Sequence, residues 1–240
     1  DEVGSKVRAR ERDGDQAARA AAVAVAAIAL WLADRHWFVP TPFAGGASGA
    51  RLITGGADRL SDHNGRLVVL VYSDFQCPFC KVFALKIEPA LRKRFEASGT
   101  VVWVHRHMPL DDIHPDARSA ASYQVCASRW GLGHEMSAAL YSLSGSLGSQ
   151  LPEMAKRFDL PAESFAACLR STAASVLEAD RSEFEALGLR ATPTVVLARP
   201  SGRDLVVLQT IEGARPLEVF AELIDAQLPR GSMPEVAYRP

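Results

Sequence analysis

Cysteine is scarce in this chain, with four residues in 240, at positions 77, 80, 126 and 168. That count excludes a small scaffold held together by disulfides, and it leaves room for one reactive pair and one structural pair. Neither sign of charge is in excess: 27 Lys and Arg face 28 Asp and Glu, for a net charge of −1. A basic footprint for nucleic acid is therefore lacking, and so is a glycine-rich phosphate loop, which removes nucleic acid from the expected partners. Internal repeats are absent, and the only low-complexity stretch is rich in alanine. With 48% hydrophobic residues the chain can bury a substantial core in one domain.

Against that background, Cys77-Pro78-Phe79-Cys80 stands out, because it directly follows the apolar run 67–72 and precedes a helical pattern. A cysteine at the first turn of a helix points its sulfur at unpaired N–H groups and at the positive end of the dipole, which favours thiolate. Two intervening residues bring Cys80 round one turn, so the pair can close a small disulfide and pass two electrons. Cys77 is the expected attacking sulfur and Cys80 the resolving one. Half of a zinc knuckle and an inert structural pair are the other readings of a bare Cys-x-x-Cys, and the first needs two further ligands nearby. Strand before and helix after are the context that a redox dithiol requires.

The helix after the motif carries Phe83, Ile87, Leu91 and Phe95 at intervals of four, with Lys86, Arg92, Lys93 and Arg94 for its outer face. Pro89 within this pattern predicts a kink, and Gly99 a stop. A strand over 101–105 follows. From 116 to about 187 the pattern is helical, punctuated by Gly131, Gly133, Gly145, Gly148 and Pro161, the last opening a helix that holds Cys168. Strands over 194–198 and 204–208 flank Pro200-Ser201-Gly202 as a hairpin, and an amphipathic helix covers about 216–228. Leu52 and Ile53 suit a short edge strand.

Residues 20–33 form an uncharged apolar run, preceded by Lys6, Arg8, Arg10, Arg12 and Arg19 and followed nearby only by Arg35. Basic residues stay on the cytoplasmic side, so this asymmetry sends everything after Val39 across a membrane, into a space where disulfides persist. Fourteen residues give only about 21 Å of helix, a marginal span. Arg19 can snorkel, and Trp31, Trp37 and Phe38 can anchor at the interface. No small-x-small cleavage pattern follows the run directly, so an uncleaved anchor is expected, with secretion after signal cleavage as the alternative. The expected organisation is a cytoplasmic segment 1–16, an anchor helix 17–39, a flexible linker 40–65, a catalytic domain 66–229 with its helical insertion at about 116–187, and a tail 230–240.

The order of strand, Cys-x-x-Cys helix, strand, helical block, hairpin and terminal helix resembles an α/β thioredoxin fold with an inserted helical subdomain. The string Tyr72-Ser73-Asp74-Phe75-Gln76-Cys77-Pro78-Phe79-Cys80 is similar to the active-site segment of DsbA-like thiol:disulfide oxidoreductases. His107-Met108-Pro109-Leu110 with His114-Pro115-Asp116-Ala117 resembles that family's segment after its second core strand, and Ala191-Thr192-Pro193-Thr194 resembles its cis-proline loop. The resemblance covers about residues 66–229. It implies a cis peptide between Thr192 and Pro193, placed against the Cys77 sulfur, with the loop's backbone free to pair with an extended substrate and Thr192 tuning access.

Two departures from the family's strongly oxidising members bear on mechanism. Phe79 stands where those members carry His, so no imidazolium supports the thiolate, and the helix terminus with Lys81 is left to do so. Val71 occupies the place where related folds often bury a carboxylate; Asp74, the nearest acid, is expected to cap the active-site loop or to pass protons through water. Pro78, Phe79 and Asp74 are thus the expected tuning residues. Cys126 and Cys168 lie in separate expected helices and are candidates for a structural bridge, or else two small buried hydrophobes. His105, His107 and His114 receive no role.

The resemblance implies thiol–disulfide exchange with extracytoplasmic protein thiols through Cys77 and Cys80, with flux toward oxidation at an intermediate potential and no cofactor or metal. It also implies a membrane partner that reoxidises the pair, with the lipid bilayer engaged by the N-terminal helix. Three other readings stay open: a reductase or isomerase whose dithiol is kept reduced, a non-catalytic peptide-binding or chaperone module using the same groove, and metal delivery through the two cysteines.

Overall fold

Strand β2, Leu67–Ser73, is apolar at nearly every position and buried at all seven, so it has to be covered on both faces. In the computed structural model, which describes residues 52–53, 67–95 and 99–228, it lies inside a five-stranded sheet of order β1-β5-β4-β2-β3. The elements run β1 (Leu52–Ile53), β2, α1 (Pro78–Val82), a π-helical turn (Phe83–Ile87), α2 (Glu88–Phe95) and β3 (Val101–His107). Next come α3 (Ala117–Ser128), α4 (Gly133–Ser142), α5 (Leu151–Arg157), α6 (Ala162–Ala186), β4 (Thr194–Ser201), β5 (Asp204–Glu212) and α7 (Leu217–Gln227). Strand β2 pairs parallel with β3 and antiparallel with β4, while β4 and β5 form the hairpin and β1 adds antiparallel to β5.

Alternation along β2 assigns its side chains to two layers. Leu67, Val69 and Val71 meet Phe83, Ile87, Leu91 and Phe95 of the helix after the motif, together with Phe220 and Ile224 of α7. Val68, Leu70 and Tyr72 face the other way, against Phe184, Leu187 and Leu189 at the end of α6. Val71 is accordingly a core residue with no access to a sulfur's proton, as its apolar side chain demands.

Most of the local expectations hold. The four-residue spacing of Phe83, Ile87, Leu91 and Phe95 is the buried stripe, α3 to α6 fill the expected helical block, and Pro216 caps α7. The hairpin turns at Gly202, whose φ of +63° suits a residue without Cβ. Pro200 is tolerated inside β4 because the pairing with β2 ends at Ala198, so no ladder bond is lost on that side. The expected kink at Pro89 takes a different form. The helix widens one turn earlier, and Glu88 donates its N–H to the Phe83 carbonyl, five residues back. A π turn placed there lets the chain absorb a proline that would otherwise clash with the preceding turn.

The helices α3 to α6 build a second core, in which Cys126 of α3 and Cys168 of α6 are joined by a disulfide. The anchor run 20–33, most of the linker and the tail lie outside the described residues. Among the described residues no helix is long and apolar enough to cross a membrane.

Removing the bridge by Cys126→Ala with Cys168→Ala should lower the unfolding free energy by about 2–4 kcal/mol, since a cross-link over 42 residues restricts the unfolded chain. Chemical denaturation of the oxidised and double-variant proteins measures this, and an unchanged midpoint would mean the bridge adds nothing.

Candidate active site

The candidate reacting groups sit where β2 ends and α1 begins, against the core of the helical insertion. Cys77 caps α1 with extended backbone and Pro78 occupies the first turn, where the missing N–H has no cost. Both cysteines are unbridged and buried, Cys80 to 1% exposure. Phe75 precedes them in the loop and packs on Tyr141 with ring centres 4.7 Å apart, so the loop is pinned to α4.

The two sulfurs are electrostatically unequal. Cys77 falls to about 5, chiefly because the Cys80 thiol donates to it, and this outweighs the burial that opposes ionisation. The N–H groups of Cys80 and Phe79 at the start of α1 add to the effect, although the side chain makes no ideal cap bond. Cys80 is pushed up by burial first and by the hydrogen bond it donates to Cys77 second, with the Cys77 charge adding less. One proton is thus shared across a pair in which Cys77 carries the charge.

The segment 191–194 closes over this pair from another part of the chain. The Thr192–Pro193 peptide is cis, and the Thr192 carbonyl lies 3.5 Å from the Cys77 sulfur, an acceptor for its protonated form. The buried Thr192 hydroxyl has no partner of good geometry, yet it lies near enough to both sulfurs to favour their charged forms. Thr194 Oγ1 donates to the Ala191 carbonyl at 2.6 Å, and Gly213 N donates to the Pro193 carbonyl at 2.7 Å, which fixes the turn.

Asp74 caps the loop, as expected for an acid just outside a helix, but its bonds reach further than the sequence indicates. Oδ1 accepts from the N–H of Gln76 at 2.6 Å and of Cys77 at 3.2 Å. Oδ2 accepts from Leu110 N at 2.8 Å and meets His114 Nδ1 at 2.9 Å. Its own main-chain N–H points at the Cys80 sulfur, 3.4 Å away. Phe79 is 63% exposed beside Cys77 and offers it no polar support. Lys81, expected to help the thiolate, instead donates its ammonium to the Leu143 carbonyl at 3.0 Å, tying α1 to the end of α4.

The histidines left without a role divide three ways. His114 reaches Asp74. His107 is sealed inside, held down to about 4 chiefly by desolvation, with its ring 5.9 Å from that of Phe75. His105 lies 3.1 Å from Glu88, a carboxylate that burial would raise but that His105 and Arg92 hold down at about 2. Among the described residues, Glu88, His105 and His134 are the group with metal-ligand spacing. Arg92 already engages two of the three, donating to Glu88 at 2.7 Å and lying 3.1 Å from His105 Nε2. The one clue to His114 in the sequence was its place just before the proline that leads into α3, and nothing local joins it to residue 74.

The acidity of Cys77 has a direct readout. Its alkylation rate in the reduced protein should rise through about pH 5 and level off by pH 7, where an ordinary thiol is still climbing toward about 8.5. Because the folded value lies below the unfolded one, the resulting stabilisation of the reduced protein is complete above about pH 9 and is lost as pH falls through about 5. A rate that climbs only above pH 8 would contradict the assigned charge on Cys77.

Solved structures with this architecture include α-DsbA1 of Wolbachia pipientis, at a TM-score of 0.59 and 20% identity, with 70% of this chain and 88% of that one aligned. DsbA2 of Pseudomonas aeruginosa aligns at 0.54 and 23% identity over 75% and 94%, and oxidised BdbD of Bacillus subtilis at 0.55 and 19% over 70% and 90%. In sequence, the chain is 35% identical over 100 residues to the Na(+)/H(+) antiporter NhaA 3 of Salinispora tropica, covering 41% of this chain and 15% of that protein. It is 32% identical over 137 residues to the antiporter NhaA 1 of Mycolicibacterium vanbaalenii, covering 55% and 22%. The chain thus spans about a fifth or less of the length of these curated relatives. The family profile described as Thioredoxin matches residues 61–202, which hold the Cys-x-x-Cys helix and the cis-proline loop, and the chain belongs to that family.

Proposed function

We propose that this protein is an extracytoplasmic thiol:disulfide oxidoreductase of the DsbA-like type that oxidises protein thiols through Cys77 and Cys80. The observation that carries the reading is the split between the sulfurs, one acidified to about 5 at a helix N-terminus and the other raised by burial, with the Thr192 carbonyl 3.5 Å from the first. A stabilised thiolate stabilises the reduced form, and that makes the disulfide form an oxidant. An acidity between roughly 3.5 for the strong oxidant DsbA and roughly 7 for thioredoxin argues for an intermediate potential, between about −120 and about −270 mV.

The chemistry starts from the Cys77–Cys80 disulfide. A substrate thiolate attacks the Cys77 sulfur, forming a mixed disulfide and releasing Cys80, which takes a proton. The substrate's second thiolate then attacks the substrate sulfur of that mixed disulfide. The substrate leaves with its own disulfide and Cys77 leaves as thiolate, so two electrons have passed to the enzyme. Attack by Cys80 on the mixed disulfide instead returns the substrate reduced, so Cys80 resolves dead-end adducts and does not complete oxidation. An external acceptor of two electrons must restore the disulfide, and a membrane partner is the class we assign.

Phe79, Val82 and Leu85 expose apolar surface along the helix that presents Cys77, which suits an unfolded chain as substrate. Placement outside the cytoplasm draws support from the charge asymmetry around residues 20–33 and from the Cys126–Cys168 bridge. The match to part of several proteins named as antiporters is in keeping with a domain that works beside a membrane.

Equilibration of the full chain with glutathione buffers, followed by thiol trapping and mass analysis, should place the Cys77/Cys80 midpoint above about −230 mV. A midpoint near about −270 mV would make reductase the correct name. Cys77→Ser should abolish exchange outright, and retained exchange would locate the chemistry elsewhere.

A further inference from the structure

The segment from Pro109 to Ala117 is singled out by its sequence and is given no task by disulfide exchange as written above. It leaves β3, turns once, and starts α3. Leu110 accepts the N–H of His114 at 2.9 Å, closing one helical turn, and His114 in turn accepts the N–H of Ala117 at 3.1 Å. This turn holds the Leu110 N–H and the His114 imidazole side by side, and both meet the same carboxylate oxygen, Asp74 Oδ2, at 2.8 and 2.9 Å. The neighbouring bond of the Asp116 N–H to Gln76 Oε1, at 2.6 Å, joins the same two loops a second time.

Asp74 is the pivot between this turn and the sulfurs. Its side chain has no exposure to solvent, so a carboxylate there has to be bonded at its lone pairs or be costly. Three of its partners are main-chain N–H groups, those of Gln76, Cys77 and Leu110, and the fourth is His114, the only side chain among them. The Asp74 main chain touches both reacting residues: its N–H faces the Cys80 sulfur at 3.4 Å, and its carbonyl accepts the Cys77 N–H at 3.2 Å. A change in how the carboxylate is held therefore moves the loop that sets both sulfurs. His114, partly exposed, is also the link from this sealed carboxylate to solvent.

We infer that His114 is a positioning residue for the Cys77–Cys80 pair, acting through Asp74 by donating from Nδ1, and that it thereby sets the balance between the dithiol and the disulfide. The inference rests on the exchange reading above. With the Nδ1 donor gone, the Asp74 carboxylate keeps more of its negative charge close to Cys77, and the loop that carries the Cys77 N–H is less firmly held. Both changes disfavour the Cys77 thiolate, so the reduced form loses stability and the equilibrium moves toward the disulfide.

The test compares His114→Leu, which keeps the volume and removes the donor, with His114→Asn, whose amide N–H stands close to where Nδ1 does. Three quantities are measured on the full chain: the equilibrium constant with glutathione, the midpoint of the Cys77 thiolate titration by absorbance, and the thermal unfolding temperature. H114L should shift the glutathione equilibrium by about tenfold toward the disulfide, the scale of one hydrogen bond to a charged group. It should also raise the Cys77 titration, and H114N should recover most of both shifts. A second prediction is independent of any variant: the His114 ring resonances of the wild-type protein should differ between its oxidised and reduced forms.

A merely structural histidine would lower the unfolding temperature in H114L and leave equilibrium and titration where they were, and that result overturns the inference. So does an H114N protein no closer to wild type than H114L. If wild type itself fails to equilibrate with glutathione, the exchange reading falls, and the Cys77 titration alone then judges His114. If H114L does not fold, the ring resonances decide, and their identity in the two redox states would reject the coupling.

Discussion

A carboxylate cut off from water is tolerated only when its oxygens are bonded, and in this protein that requirement falls on Asp74. Meeting it fixes the geometry around it. Two N–H groups of the loop before α1 have to turn inward, which sets the entry angle of the helix and so the direction of its first N–H groups toward Cys77. The turn after β3 has to approach from the other side, which brings the start of α3 down beside the site. Tyr141 adds its hydroxyl to the Asp74 carbonyl at 3.5 Å, so α4 is part of the same arrangement. An apolar side chain at 74 would leave those donors without an acceptor, and the two loops without a reason to meet.

The helical insertion and the sheet are joined by a second buried polar cluster. Arg106 of β3 donates to Glu183 of α6 at 3.0 Å and lies 3.5 Å from Asp180. Tyr72 of β2 bonds the same Glu183 through its hydroxyl, and Asp180 accepts the His107 N–H at 2.9 Å, capping the outer edge of β3. Burial, and then Glu183, push the Tyr72 hydroxyl up, so it stays a neutral donor. A cluster of this kind adds little net stability over a well-packed apolar one, since desolvation offsets most of its attraction. Its value is directional, because it permits one register of α6 against the sheet. That register places Phe184 and Leu187 on Val68, Leu70 and Tyr72, and leaves the N-terminal half of the helix to carry Cys168 into the second core.

What the sequence reveals and what it hides follow from the range of the forces involved. The strand at 67–73, the stripe from Phe83 to Phe95 and the hairpin at Gly202 are written in local periodicity and turn chemistry, and each is legible within a dozen residues. The candidate Cys77–Cys80 pair is legible for the same reason, since strand, cysteine and helix are consecutive. The π turn before Pro89 is harder to read: a proline signals a disturbance, and the packing of Phe83 and Ile87 on the sheet decides which form it takes. The distant partners of Asp74 and Lys81 are hidden altogether. His114 is 40 residues from Asp74 and Leu143 is 62 from Lys81, and no periodicity connects positions so far apart. Phe79 shows the reverse case, where a residue read as a loss for the thiolate proves to be one of several exposed apolar side chains on the helix that presents it.

The asymmetry of the two sulfurs also determines which of them meets the outside. Cys80 lies deeper, with the Asp74 N–H on one side and the Cys77 sulfur on the other, and burial keeps its proton in place. In the proposed exchange an incoming thiolate attacks the more accessible sulfur of the disulfide and expels the other, so attack would fall on Cys77, and Cys80 would leave into a pocket that returns it to the neutral form. A neutral Cys80 is a poor nucleophile, and under the proposed function the mixed disulfide at Cys77 would therefore persist long enough for a second thiol of the substrate to reach it. With Cys80 as acidic as Cys77, the mixed disulfide would be undone before that second attack, and net oxidation would slow. Burial of one sulfur and support of the other by α1 are thus two halves of one device, and the closed loop around Asp74 holds them at the same time.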